Sequence, residues 1–277
     1  MEVKIIDTSY GKIEYSTYGK GEPVLFIHGG HSNSEELLAH KHIDSNKFTL
    51  ITPSRPGYGN TPLGQNLSPI DSSKQIIELM DKLMINKFNV IGISAGGLTA
   101  IALTSLNPKR VLKFIMASSI SKRWLNPNDK LYKKAKKLFS PKTEKYTWLL
   151  LRGFLKLFPK IMIKKIASEL TAIKIKELDN EEINDVKNML NEQRSKNGFV
   201  VDLDHDLEKN IIEQISSPTL IIHSKNDQAI SKEHPLLAKD KIKNSKIIWI
   251  DNKWGHLIWV GKESKDIINN ITTFLLN

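Results

Sequence analysis

Six short apolar runs, separated by segments with helical periodicity, constrain the fold of this 277-residue chain most strongly. A buried strand followed by a crossover helix, repeated along a chain, is typical of an α/β protein with a parallel sheet. The runs are 23–27, 48–51, 88–93, 111–116, 219–222 and 247–250. Two earlier segments, 3–6 and 12–15, flank Tyr10-Gly11 and predict an antiparallel hairpin. The sequence thus predicts a mostly parallel sheet of eight strands, flanked by helices.

Four helices are expected around this sheet from apolar spacing and cap signals. Segment 34–42 has Ser34 as its candidate N-cap, with Glu35 and Glu36 in the first turn. Segment 95–106 stops before Asn107-Pro108, a pair that disfavours continuation of a helix. The remaining two helices are predicted at 72–84 and 262–275.

The interval between the fourth and fifth apolar runs breaks the alternation, because it shows several helical patterns and no strong strand. We interpret residues 121–205 as a helical insertion, and residues 1–120 and 206–277 as the core domain. An insertion that follows the C-terminal end of a strand lies over the edge where open parallel sheets bind ligands. The insertion is therefore expected to cover the binding site.

The insertion also carries the charge excess of the chain. Segment 121–165 contains 14 Lys and Arg against Asp129 and Glu144, a balance of +12, whereas the whole chain has a net charge of +11. A solvated lysine face and an attraction to anionic partners both fit this pattern. The apolar segment 146–159 within it either packs on the core and lines a pocket or, with Lys160, Lys164 and Lys165, makes weak contact with anionic membrane or lipid.

The stretch Gly92-Ile93-Ser94-Ala95-Gly96 lies between a predicted strand and a predicted helix, which is the context that gives the G-x-S-x-G pattern its meaning. So sharp a turn strains the backbone at Ser94 and raises its hydroxyl above the sheet edge. Glycine on either side removes a Cβ that would clash. The sequence thus predicts an exposed nucleophilic serine.

Two backbone amides are candidates for binding an oxyanion beside this serine. The Ala95 N–H lies at the positive end of the following helix. The second donor is expected from the loop after the first run of the parallel sheet, where Gly29 and Gly30 allow close approach, and the Gly30 N–H is our candidate. His31 follows directly and is a possible substrate contact.

A serine hydroxyl needs a base, and the base needs an acid to orient it. Asp227 follows the fifth run, and His256 follows the sixth, so that both lie at the same sheet edge as Ser94. Asp251 is the alternative acid, but it lies in the same loop as His256. The acid and the histidine therefore occur in the chain order expected for this arrangement.

The sequence resembles the α/β-hydrolase fold family in PVLFIHGG, PSRPGYGNTP, VIGISAGG, PTLIIHSKNDQAI and NKWGH. The resemblance covers nearly the whole chain apart from the insertion. It implies an α/β-hydrolase sheet with a helical cap, with Ser94 as nucleophile, Asp227 as acid, His256 as base, and Gly30 and Ala95 in the oxyanion hole. One departure is Ser54, where many members have an aspartate.

These observations predict a serine hydrolase, most simply a carboxylesterase that acts on small or medium apolar esters through an acyl-enzyme on Ser94. Hydrolysis of a thioester, amide, C–C bond or lipid ester, and a ligand-sensing protein on the same fold, remain alternatives. We expect no metal, no cofactor and no nucleic-acid partner, and a small-molecule ester as substrate. The chain has no cysteine and its first residues do not resemble a signal peptide, so we expect a cytoplasmic protein.

The other histidines are expected to be structural. His40, His42 and His234 are predicted to be exposed. His205 is interpreted as part of an exposed acidic turn, because no second histidine lies at ligand spacing.

Overall fold

The computed structural model describes residues 1–208 and 210–277, in which one eight-stranded sheet forms the centre of the molecule. The strand order is β1-β2-β4-β3-β5-β6-β7-β8, with antiparallel pairing of β1 to β2 and of β2 to β4, and parallel pairing elsewhere. The predicted mostly parallel sheet is confirmed. The strands are β1 (Glu2–Thr8), β2 (Gly11–Gly19), β3 (Glu22–Ile27), β4 (Phe48–Pro53), β5 (Phe88–Ile93), β6 (Val111–Ala117), β7 (Thr219–Ser224) and β8 (Ser245–Ile250).

Successive residues of the central strands point to opposite faces, and both faces are buried. Val24 and Phe26 of β3 belong to one apolar cluster, whereas Leu25 and Ile27 belong to the other. The near-continuous apolar runs of the sequence follow from this burial on both faces. Because these strands run parallel, their carboxyl ends share one edge of the sheet, where the loops after β3, β5, β7 and β8 lie.

Three of the four helices expected around the sheet are present with small shifts of their ends. Nine α-helices occur within 1–208 and 210–277: α1 (Pro69–Lys82), α2 (Gly97–Leu106), α3 (Lys130–Leu138), α4 (Glu144–Leu157), α5 (Pro159–Ala167), α6 (Asn180–Glu192), α7 (Gly198–Asp202), α8 (Glu233–Lys241) and α9 (Ser264–Leu276). Helix α8 is not among the helices predicted from the sequence.

The helix predicted at 34–42 is wrong, because this segment forms a series of turns. Ser34 does not cap a helix: its N–H donates to Ser54 Oγ at 2.8 Å and its hydroxyl donates to Glu14 Oε1 at 3.0 Å. The turns close by i→i+3 bonds, such as the His40 N–H to the Leu37 carbonyl at 3.2 Å. Tertiary partners thus compete successfully with the local helix signal.

Helices α3 to α7 all lie inside the segment predicted as an insertion, 121–205, whose bounds remain a prediction. The segment follows β6 and packs over the carboxyl edge of the sheet. Its buried residues, among them Trp148, Leu155 and Val186, belong to the same apolar cluster as Phe26 and Ile91 of the sheet. In the described part of the chain, no helix combines the length and apolar character needed to cross a bilayer.

Candidate active site

The serine elbow has the strained geometry expected from its sequence. Ser94 follows the last residue of β5 and has a φ of 49°. This left-handed value is uncommon for residues other than glycine. A Cβ on Gly92 would lie 2.5 Å from the Ala100 Cβ. A Cβ on Gly96 would lie 2.4 Å from the His28 carbonyl oxygen. Both glycines are needed sterically, although they are crowded by α2 and β3 rather than by each other.

The three predicted side chains form one hydrogen-bonded chain. His256 Nε2 lies 3.0 Å from Ser94 Oγ, and His256 Nδ1 lies 2.9 Å from Asp227 Oδ2. This is the geometry of a nucleophile, a base and an orienting acid. The alternative acid, Asp251, is exposed and accepts instead from the Asn226 amide at 2.8 Å. The structure therefore brings together Ser94, His256 and Asp227, and leaves Asp251 outside.

The Asp227 carboxylate is buried but fully paired. Its Oδ1 accepts the Ala229 and Ile230 N–H groups, each at 2.9 Å. Burial alone would raise the pKa of Asp227, but the charge of His256 and the hydrogen bonds from His256 and Ile230 outweigh it and lower that pKa. Asp227 is thus ionised at neutral pH and fixes the proton of His256 on Nδ1.

The loop after β3 approaches the serine closely. A Cβ on Gly29 would lie 3.1 Å from the Ser94 Cβ, and one on Gly30 would lie 3.8 Å from the Ala95 Cβ. Across residues 1–208 and 210–277, no protein acceptor pairs with the N–H of Gly30 or Ala95. The residues of the predicted oxyanion hole therefore lie close to the serine, and no acceptor in the described chain occupies either amide.

His28 and Arg55 hold this loop in place. His28 Nδ1 donates to the Gly29 carbonyl at 2.7 Å, and Nε2 accepts the Arg55 N–H at 2.9 Å. Burial is the main cause that lowers the pKa of His28 to about 3, so the ring is neutral. The Arg55 guanidinium donates to the His28 carbonyl at 2.9 Å and to the Gly29 carbonyl at 3.2 Å. No local pattern in the sequence indicates this role of Arg55, because its partners are distant in the chain.

Arg55 in turn binds the insertion through a buried ion pair. Its Nη1 and Nη2 lie 2.6 and 2.7 Å from the two oxygens of Asp202 in α7, and the Tyr58 hydroxyl donates to Asp202 Oδ2 at 2.6 Å. Burial opposes ionisation of Asp202, but the charge of Arg55 and the hydrogen bonds hold its pKa below the usual range. Asp202 thus connects the insertion to the loop of Gly29 and Gly30.

A second connection runs through His31. The Trp148 indole N–H donates to Ser195 Oγ at 2.8 Å, and this hydroxyl lies 2.7 Å from His31 Nδ1. Among the described residues the Ser195 hydroxyl has no acceptor for its proton other than Nδ1, so we assign it as the donor in this bond, which leaves the proton of the neutral His31 ring on Nε2. The ring stacks on Phe199 at a centroid distance of 3.8 Å, and burial lowers its pKa to about 3.

A third connection joins the acid and base loops. The Leu170 carbonyl, just after α5, accepts the Gln228 N–H at 3.2 Å and the His256 N–H at 3.0 Å. Gly255 lies against the Leu170 carbonyl and has a φ of 55°. A Cβ on Gly255 would lie 2.6 Å from the Leu170 oxygen. No sequence signal points to Leu170, because its carbonyl acts and its side chain does not.

The serine and histidine open into a cavity of about 400 Å³ under the insertion. Most of its lining is apolar, and its polar lining residues are Ser94, His256, His31, Ser32, Glu36, Lys134, Glu169 and Gln193. Such a cavity suits a small or medium organic ligand. Its apolar lining includes Ile93, Ile120, Trp124, Leu138, Phe139, Trp148, Leu151, Leu190, Phe199, Ile230, Leu257 and Trp259.

The departure at Ser54 is compensated within the fold. Ser54 Oγ donates to Glu14 Oε1 at 2.7 Å, and the buried Glu14 carboxylate also accepts from Ser34. A carboxylate from β2 thus lies next to the position where many family members have an aspartate.

Three predictions about histidine exposure are wrong. His40 and His234 are buried, with His40 Nε2 at 3.0 Å from Thr52 Oγ1 and His234 Nδ1 accepting the Ser121 N–H at 3.0 Å. His205 is also buried, 3.3 Å from Asp202 Oδ1. The local sequence around these histidines is polar, whereas their burial depends on the residues that the folded chain packs around them. In the part of the chain that the structure describes, no group of three or more His, Asp and Glu side chains is arranged to hold a metal ion.

The fold and the serine elbow define a class of protein. The sequence model of the alpha/beta hydrolase fold matches residues 22–262, and the chain therefore belongs to this family, as the resemblance predicted.

Similar proteins agree with this class. The chain is 35% identical over 279 residues to the uncharacterized hydrolase YcgS of Bacillus subtilis (strain 168), with 99% of this chain and 98% of that protein covered. An alpha/beta hydrolase fold protein from Nakamurella multipartita has a TM-score of 0.80 at 21% identity, with 99% of both chains covered. The esterase EaEST from Exiguobacterium antarcticum has a TM-score of 0.72 at 20% identity, again with 99% of both chains covered. Together these findings support a hydrolase.

Proposed function

We propose that the protein is a serine hydrolase that cleaves carboxylic esters of small or medium apolar acids through an acyl-enzyme on Ser94. The observation that carries this proposal is the hydrogen-bonded chain from Ser94 Oγ to His256 at 3.0 Å and on to Asp227 at 2.9 Å. Ser94 and His256 line a largely apolar cavity, where an ester can reach the serine.

In the first step the Ser94 oxygen attacks the ester carbonyl carbon while His256 Nε2 takes the hydroxyl proton. Asp227 holds the imidazole in the required tautomer and stabilises the imidazolium. The carbonyl oxygen becomes negative and accepts the Gly30 and Ala95 N–H groups, each worth about 3 kcal/mol in comparable sites. The C–O bond to the alcohol breaks as His256 returns the proton to the leaving oxygen.

In the second step a water molecule gives a proton to His256 and attacks the acyl carbon. The bond to Ser94 Oγ breaks, the serine recovers its proton and the acid leaves. The same two amides bind the oxyanion in both steps. Both steps use groups of this chain together with substrate and water.

His31 is the proposed polar contact for the substrate. Its ring is neutral, and Ser195 occupies Nδ1, so Nε2–H is the remaining donor. In a largely apolar cavity, one such donor selects ligands that place an oxygen near it. We expect His31→Phe to lower kcat/KM by about tenfold without preventing covalent labelling of Ser94.

The proposal is tested with p-nitrophenyl esters of increasing acyl length and with an alkyl phosphonate that labels nucleophilic serines. The wild-type protein should hydrolyse the shorter and medium esters and form one adduct at Ser94. Ser94→Ala should abolish both. Ser32→Ala is the matched control, since Ser32 also lines the cavity, and it should retain both properties.

A wild-type protein that forms no adduct and turns over no ester would contradict the catalytic role. If the protein is active, rates on thioesters, anilides and a lactone with the same acyl group determine which bond it cleaves best. Faster turnover of one of these at equal acyl length would move the proposal from esters to that bond.

A further inference from the structure

The outer face of the α4–α5 hairpin exposes a continuous set of large apolar side chains. Within α4 they recur at helical spacing, at positions 146, 149, 150, 154 and 157, so that they form one stripe. The relative exposures of these five side chains range from 54% to 70%. The set, here called the outer patch, is Tyr146, Leu149, Leu150, Phe154, Leu157, Phe158 and Ile161.

Helix α4 is therefore apolar on two sides. Its inner side packs into the core through Trp148 and Leu155, which are 2% and 1% exposed. The outer side has no comparable contact with the described residues: a Cβ on Gly153, in the middle of the stripe, would have none of their heavy atoms within 4 Å. Packing inside the molecule accounts for one face of the helix and not for the other.

The charged residues in the segment that carries the outer patch are all cationic. Segment 145–165 contains Lys145, Arg152, Lys156, Lys160, Lys164 and Lys165 and no Asp or Glu at all. The five lysines are exposed, and within residues 1–208 and 210–277 none of them forms a salt bridge, whereas Lys136 of the preceding helix pairs with Asp204. The nearest acid in sequence, Glu144, is buried and bound to Arg194 at 2.6 Å.

This combination selects one occupant. A second copy of the chain would bring two patches of the same positive charge together, which opposes association. An uncharged apolar partner would leave the lysines unused. A partner with an anionic surface above an apolar interior can bury the apolar stripe and pair with the lysines at the same time. Lipid bilayers with acidic headgroups have this character.

We propose that the outer patch docks the protein on an anionic lipid surface, with the apolar stripe in the headgroup region and the lysines on the acidic headgroups. The inner side of α4 lines the cavity through Trp148 and Leu151, so the docked protein would hold the cavity one helix away from the lipid. This surface contains none of the catalytic residues, so the proposal stands apart from the function proposed for Ser94.

Sedimentation with lipid vesicles tests the proposal on the full chain. Vesicles of equal parts phosphatidylglycerol and phosphatidylcholine should bind the protein, pure phosphatidylcholine should bind at least about tenfold less, and 1 M salt should release it. The Ser94→Ala protein should bind as the wild type does, which separates this result from any failure of catalysis.

Two triple variants separate the apolar and cationic contributions. Leu150→Gln/Phe154→Gln/Leu157→Gln should weaken partitioning by about tenfold or more, because it removes apolar burial. Lys145→Glu/Lys156→Glu/Lys160→Glu should weaken it by about 100-fold or more. The matched controls alter exposed residues of the same kind elsewhere, Leu67→Gln/Met84→Gln/Leu112→Gln and Lys87→Glu/Lys109→Glu/Lys243→Glu.

Equal binding to neutral and anionic vesicles, or no binding to either, would overturn the proposal. Equal loss in the control variants would overturn it too, since binding would then not depend on the patch. A dimer in solution that the apolar triple variant converts to monomers would assign the patch to a second copy instead. Thermal unfolding of each variant confirms that the comparison is made between folded proteins.

Discussion

The core side and the insertion side of the cavity contribute different things to the site. The core side supplies the groups proposed to react, Ser94, His256 and Asp227, each on a loop at the end of a parallel strand. The insertion side supplies most of the apolar wall together with contacts that hold those loops. One side therefore determines the chemistry and the other determines where its parts lie and what reaches them.

The attachment points of the insertion fall on the functional loops themselves. Asp202 binds Arg55, which holds the carbonyls of His28 and Gly29. The Arg194 N–H donates to the His31 carbonyl at 2.8 Å, and the Leu170 carbonyl binds the loops of Asp227 and His256. The insertion thus supports the site as well as covering it. Substitutions at these attachment points should therefore change the catalytic rate.

The largest effect is expected from breaking the core side. Asp227→Asn removes the charge that stabilises the imidazolium and should lower kcat/KM on a p-nitrophenyl ester by about 10³–10⁴-fold, as measured by initial rates. Asp251→Asn is the control, and its rate should stay within about twofold of wild type because Asp251 contacts Asn226 and not His256. A larger loss in Asp251→Asn than in Asp227→Asn would reverse the assignment of the acid.

The next effect concerns the buried attachment between the two sides. Asp202→Asn leaves the Arg55 guanidinium uncompensated in the interior and should lower the free energy of unfolding in urea by about 3–5 kcal/mol. The control Asp204→Asn breaks an exposed pair with Lys136 and should cost about 1 kcal/mol or less. Similar losses in both variants would mean that the Arg55–Asp202 pair does not hold the insertion.

A smaller effect separates positioning from binding. Gly255→Ala places a Cβ against the Leu170 and Asn226 carbonyl oxygens, 2.6 and 2.7 Å away, and should displace His256. We expect kcat to fall by about 10–100-fold with little change in KM. Gly153→Ala, in an exposed helix with open space around it, should leave kcat unchanged. A Gly255→Ala enzyme with normal kcat would show that the Leu170 contact does not position the base.

The smallest effect is expected in the pH dependence of the free energy of unfolding, which tests the burial of His40 in the turns of segment 34–42. Burial lowers the pKa of His40 to about 4, so the unfolded chain binds more protons than the folded one between about pH 4 and 6.5. The free energy of unfolding should therefore fall as pH falls through this window, with His40 contributing at most about 1.4 kcal/mol per pH unit. His40→Gln should flatten the slope measured in urea at several pH values. His42→Gln, at an exposed site, should change it less, and an equal change in both variants would contradict the assignment.

Local patterns were sufficient wherever neighbours in sequence decide the structure. The run 88–93 correctly predicted β5, and the glycines around Ser94 predicted the strained turn in which Ser94 has a φ of 49°. Asp227 and His256 could be chosen because strand ends of a parallel sheet share one edge. The same reasoning failed at Ser34, whose local cap signal is overruled by hydrogen bonds to Ser54 and Glu14.

By itself, the sequence determined the order of the strands, three of the helices that flank the sheet, and the candidates for nucleophile, base and acid, because periodicity and turn residues act over a few positions. Only the tertiary structure decided which residues support them: Arg55 and Asp202 are 147 positions apart, and Leu170 acts through a carbonyl that every residue has. It also decided that α4 has a second apolar face turned outward. Burial and pairing depend on what the folded chain brings together, and no local pattern carries that information.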